Sequence, residues 1–279
     1  MDRRGFLTNA FTLTGGSAVL VGSGGCVGRI GTGDASIDRR ERPERPEPLT
    51  ESAVVEYVAD LEAIRTHNMQ VEHGATEVDV TTTATFDYEA ADGYHVTAQH
   101  AGTVYHDENG ERSVGELYSR PIPYRVTDDE TIRLSIDREP ARTIATDGEG
   151  SDPDGEGSDD EPVDAPLGVR LCNVLDRPRE VALEVTRHEA TVESATATLD
   201  GPTLLEETVT IGPERAVELR EIGGDPGTYR VVARVSEDGL TGEGRIDIDL
   251  PGIDRSSNAD VLSSHSGLAT RALPAFDPI

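Results

Sequence analysis

The spacing of apolar positions changes along the chain and marks out its elements. Val54, Val58, Leu61 and Ile64 recur every three or four residues behind Thr50, a residue type that caps helices. A helix is therefore expected near 51–67. Beyond it the period becomes two. Val78, Val80, Ala84, Phe86 and Tyr88 fall on one side of a strand, with Glu77, Asp79, Asp87 and Glu89 on the other. Asp92-Gly93 and Asn109-Gly110 are hairpin signals. Between and after them come Tyr94, Val96, Ala98 and Val104, then Ile122, Tyr124 and Val126, then Ile132, Leu134 and Ile136. Residues 50–146 thus read as a helix plus an antiparallel sheet.

A second patterned region covers 167–251. Strand-like runs lie near 167–175, 180–188, 191–199, 204–211, 215–222, 228–236 and 242–250. The alternation is plain in Val181, Leu183 and Val185 and in Ile246, Ile248 and Leu250. Short strands at this spacing predict a β-sandwich. The fold class expected is mainly β: helix plus sheet, then sandwich.

Three stretches lack such a pattern. Residues 27–49 end in Pro43, Pro46 and Pro48 among alternating charges, the composition of an extended, solvated and disordered stalk. Residues 147–166 carry nine acidic residues and no basic one, and DGEGSD occurs there twice. That is the composition of a flexible acidic linker. Asp152, Asp154, Glu156 and Gly157 match a calcium loop, but Val163 stands where the loop needs glutamate. Residues 252–279 are Ser-rich with few apolar positions, and are expected to be a disordered tail.

Charge alters the picture next. Fifty-four acidic residues oppose 25 basic ones for a net −29, and every basic residue is arginine. Such self-repulsion strains a compact fold in dilute buffer and is screened in molar salt, where the Debye length is about 3 Å. No basic patch exists, so nucleic acid is not an expected partner. The opening segment adds an address. Arg3 and Arg4 precede an uncharged, weakly apolar run from Gly5 to Gly25, the layout of an export signal. Arg3-Arg4-Gly5-Phe6-Leu7 resembles the twin-arginine signal R-R-x-F-L. Gly24-Gly25-Cys26 resembles the end of a lipobox, although Ser23 stands where an aliphatic residue is usual. The resemblance implies signal and lipobox over 1–26, with a lipid on Cys26 tethering the chain to the extracellular face of the cell membrane. Without that lipid, Cys26 is a leftover near a cleavage site or part of an uncleaved anchor. An acidic, lysine-free and tryptophan-free chain with this signal resembles the exported lipoproteins of extremely halophilic archaea. Pro226-Gly227-Thr228-Tyr229-Arg230-Val231 resembles the opening of a late strand in immunoglobulin-like and fibronectin type III-like sandwiches, implying that Tyr229 forms a tyrosine corner.

Candidate chemistry is sparse. Without lysine, a P-loop, a Schiff base and a kinase site are excluded. His188-Glu189 opens like a zinc-protease motif, but Val192 ends the match, and no G-x-S-x-G elbow occurs. A blue-copper site also fails, because no histidine follows Cys172 closely and Met1 and Met69 are the only methionines. Cys172, within an apolar run, reads as a small buried residue. No catalytic residue, metal ligand or cofactor is expected. Five of seven histidines and six of seven tyrosines fall within 50–146. His95 and Tyr105 share the face of a strand opposite Tyr94 and Val96, and are the candidate recognition surface. The sequence points to a lipid-anchored, non-enzymatic surface protein that binds or spaces an unknown surface partner. The alternative is an exported hydrolase with its site in 50–146.

Overall fold

A computed structural model describes residues 37–108, 110–142, 166–188, 201–237, 240–250 and 257–274. Its single helix among them, α1, spans Glu51–Glu72, and Thr50 Oγ1 accepts from the Ala53 amide at 3.3 Å as its N-cap. Val54, Tyr57, Val58 and Leu61 are buried. The helix outlasts the apolar repeat because its polar end is held by the chain before it. Asn68 exchanges two 2.8 Å bonds with the Arg40 backbone, His67 Nε2 lies 3.0 Å from the Asp38 carbonyl, and Arg39 pairs with Glu72. Thus 38–40, within the expected stalk, lie docked along α1. Gly74, at φ +82°, supplies the left-handed residue that turns the chain away.

Sheet A follows: β1 (Glu77–Ala90), β2 (Gly93–Glu108), β3 (Glu111–Tyr118), β4 (Ile122–Val126) and β5 (Thr131–Arg133). The order is β1-β2-β4-β5, with β3 on the outer half of β2. Val96, Ala98, Tyr124 and Val126 pack with the apolar stripe of α1. The alternation read for β1 breaks at a bulge between Phe86 and Tyr88. An extra residue there reverses the phase. Phe86 packs toward α1, whereas Tyr88 joins a different cluster and Asp87 is buried.

The remaining strands build two sheets. They are β6 (Ser135–Pro140), β7 (Leu167–Asn173), β8 (Arg179–His188), β9 (Thr203–Ile211), β10 (Arg215–Gly223), β11 (Gly227–Glu237), β12 (Leu240–Leu250), β13 (Ala259–Ser264) and β14 (Gly267–Ala272). Sheet B has the order β14-β13-β7-β10-β6 and sheet C the order β12-β11-β8-β9. Alternate residues of both face inward: Val169, Leu171, Val217 and Leu219 of sheet B meet Val181, Leu183, Val185 and Val231 of sheet C in one core. This is a β-sandwich. Buried Tyr229 donates its hydroxyl to the Asp225 carbonyl at 2.7 Å, the corner that the sequence resemblance implied. The strand expected near 191–199 lies outside the described residues, as does nearly all of the acidic stretch 147–166.

Two expectations need correction. The tail from 252 onward is not a disordered appendage over 257–274: β13 runs parallel to β7 in the middle of sheet B, and β14 closes its edge. The Ser-rich composition misled because β13 buries polar groups that find partners. Asn258 Oδ1 accepts from the Gly168 amide at 3.1 Å, and Asp260 binds Arg170. The two patterned regions also share structure. β6, from the first, pairs in parallel with β10 of the second. The outer face of sheet B packs on sheet A through Tyr88, Ile132, Leu134, Cys172, Ala216 and Leu262. The layers run α1, sheet A, sheet B, sheet C, within the compact unit Ser36–Ile279.

Candidate functional site

The layering decides the fate of the candidate surface. His95 points from β2 toward sheet B, is only 3% exposed, and stacks on Tyr88 with ring centroids 4.7 Å apart. Asp92 Oδ1 lies 3.5 Å from its Nε2. It is therefore not a surface residue, which corrects its assignment to a recognition face. Tyr105 is half-buried beneath the Arg112 guanidinium, 4.2 Å from its ring centroid. Ten residues of strand, on the order of 34 Å, separate the two. The structure does not bring them together. Arg3, Arg4, Phe6, Leu7 and Cys26 lie outside the described residues.

Two buried charge clusters occur instead. The first centres on Arg170 of β7, which is 3% exposed. Its guanidinium grips Asp260 through Nε at 3.1 Å and Nη2 at 2.9 Å, reaches Asp87 at 3.0 Å and donates to Thr97 at 2.8 Å. Tyr88 donates to Asp260 at 2.5 Å, and the Cys172 thiol lies 3.4 Å from the same carboxylate. Burial alone would raise the Asp260 pKa, but the Arg170 charge and its hydrogen bonds bring it below the usual carboxylate range. The same burial pushes the Cys172 thiol well up, so it is a poor nucleophile. This cluster joins β1, β2, β7 and β13 and is closed to solvent, so it serves to lock sheet A to sheet B.

The second cluster centres on Glu62 of α1, 1% exposed, and it borders a cavity. Glu62 accepts from the Tyr124 hydroxyl, from Arg133 Nε at 3.0 Å and from His100 Nδ1 at 3.2 Å. Burial would raise its pKa, yet the bonds from His100, Arg133 and Tyr124 pull it down to about 2. Tyr124 is pushed up in turn, first by burial and then by the adjacent carboxylate. Thr66, His100 and Glu62 superficially resemble a nucleophile–base–acid relay. Thr66 Oγ1, however, lies 3.3 Å from the same Nδ1 that faces Glu62. A relay needs opposite ring nitrogens, and Thr66 is buried. The arrangement holds side chains in place and is not a proton relay.

The cavity is about 270 Å³ and lies between α1, the β4–β5 edge and the segment before the helix. Leu61, Arg65 and Asn68 present one face of α1, at positions four and three apart. Arg133 comes from β5 and Arg42 from the irregular segment. Leu61, Ile64 and Tyr124 give it apolar wall. Sequence reasoning missed Glu62 with its partner Arg133, and the cavity arginines Arg42 and Arg65. The one signal was an acidic residue directly beside the apolar stripe of the helix, in a chain where acids are everywhere.

No protein-family model matches the chain, and no curated protein matches its sequence.

Proposed function

We propose that the chain is a lipid-anchored, non-enzymatic binding or structural protein on the surface of a halophile. The anchor is supported by Arg3-Arg4-Gly5-Phe6-Leu7 and Cys26, and the saline setting by the net charge of −29 without lysine. The partners are the membrane, through the lipid on Cys26, and an unknown surface protein.

The sandwich is consistent with an immunoglobulin-like module. With β7, β8, β10, β11 and β12 as strands B, C, E, F and G, the pairs B–E, C–F and F–G all occur. Tyr229 then stands near the start of strand F, where the tyrosine corner belongs. Architecture of this kind supports display and binding and names no reaction.

The observation that carries the non-enzymatic half is the state of Glu62. A general acid or base works best with a pKa near the operating pH, and three donors hold this carboxylate ionised far below it. A hydrolase that used Glu62 as its general acid or base would need this carboxylate to titrate far higher.

Mass spectrometry of the protein extracted from native membranes is expected to find a chain starting at lipid-bearing Cys26. Cys26→Ser should release the protein into the medium. A native chain that keeps its opening segment and carries no hydrocarbon would overturn the anchor.

A further inference from the structure

We propose that the arginine-lined cavity binds a small organic oxyanion: a carboxylate or sulfate head on an apolar body. This names a ligand class for the binding protein proposed above; it rests on the binding and saline readings and is independent of the lipid.

The charge of the head follows from where the arginines stand: Arg42, Arg65 and Arg133 line one cavity. Carboxylates outnumber guanidiniums by 54 to 25 in this chain, yet pairing is uneven, and Arg45, Arg120 and Arg142 hold no ion pair among the described residues. Arg39, Arg112, Arg187, Arg230 and Arg234 each hold one. Among the described residues, Arg42 and Arg65 have neither an ion pair nor a hydrogen bond, and both border the cavity. They come from separate elements, the segment before α1 and α1 itself. Asn68, by bonding the Arg40 backbone on both sides of its amide, fixes that segment to the helix and so fixes Arg42 near Arg65. Arg133 adds a third guanidinium whose orientation Glu62 sets through Nε. Three arginines and no carboxylate thus stand among the described residues that line the cavity. Planar guanidinium forks suit carboxylate and sulfate oxygens, and they hold their charge at any accessible pH.

The apolar body follows from the walls and the solvent. Leu61, Ile64 and Tyr124 face the cavity, and its volume of about 270 Å³ suits a ligand smaller than a drug-sized one. In molar salt the Debye length is about 3 Å and chloride competes for the arginines. A bare inorganic ion then gains little, whereas burial of apolar surface is undiminished by salt.

The test titrates the full chain, in molar sodium chloride, with benzoate, phenyl sulfate, acetate and the uncharged benzamide by calorimetry. Benzoate or phenyl sulfate should bind at least about tenfold more tightly than benzamide and than acetate, and the tighter of the two identifies the head. Arg65→Gln and Arg42→Gln should each weaken that ligand about tenfold, with circular dichroism unchanged. Equal binding of benzamide, full retention of affinity in both arginine variants, or no binding of either aromatic anion to folded protein overturns the proposal. If a variant fails to fold, the comparison with benzamide still decides. A lipid-free native Cys26 with benzoate bound removes the anchor alone. Lipidated Cys26 with no anion bound removes the ligand class alone.

Discussion

The Arg170 and Glu62 clusters solve the same electrostatic problem with opposite signs, and only one stays open. At the junction of sheets A and B a buried cation is enclosed by Asp87 and Asp260. Under α1 a buried anion is enclosed by Arg133, Tyr124 and His100, but its arginine side borders a cavity. A charge taken out of water must have close partners in either case. The difference lies in what surrounds the partners. Around Arg170 every neighbour is another strand, so the cluster can only hold layers together. Around Glu62 the neighbour Arg133 is partly exposed, so the same kind of cluster can present a guanidinium to a ligand.

The largest effect should come from the enclosed cluster. Arg170→Met leaves Asp87 and Asp260 buried without their cation and is expected to cost about 3–5 kcal/mol. Denaturant unfolding in molar salt measures it through the midpoint, and added anions should not restore it. A shift under about 1 kcal/mol would mean that the layers hold without the lock.

Acid should then strike the open cluster. The folded-state pKa of Glu62, about 2, lies below its ordinary 4.5, so the unfolded chain takes up the proton first. Its contribution is complete above pH 4.5 and is lost as pH falls toward about 2, by about 3 kcal/mol in all. Asp260 is shifted in the same direction and adds loss of the same sign. Stability measured across that window for the parent and for Glu62→Gln separates the two. The variant should be weaker at neutral pH and flatter in acid, and identical slopes would remove Glu62 from the account.

The smallest effect sharpens the contrast. Arg65→Gln touches no ion pair among the described residues, so its stability should stay within about 0.5 kcal/mol of the parent. Thermal unfolding tests this, and a loss as large as that of Arg170→Met would make the open arginines structural too.

Much of the secondary structure was legible, and for local reasons. Thr50 and the Val54–Ile64 repeat mark the helix, while alternation marks β7 to β12 and the Tyr229 corner. The misreadings concern faces and neighbours. Arg170 alternates with Val169 and Leu171 as a solvent-facing residue would, yet a second sheet covers it. His95 alternates with Val96 in the same way and is buried for the same reason. Ser263 and Asp260 look like tail composition, but they sit in a central strand.

Local periodicity, cap and corner were written in the sequence because each depends on residues a few places apart. So was the excess of acid over base, which depends on composition alone. Which polar faces are covered was decided by tertiary structure. Pairs such as Asp87 with Arg170, Asp260 with Arg170, and Glu62 with Arg133 join residues 71 to 90 positions apart. Burial of a charge depends on what packs over it, and no local pattern encodes a neighbour from another layer.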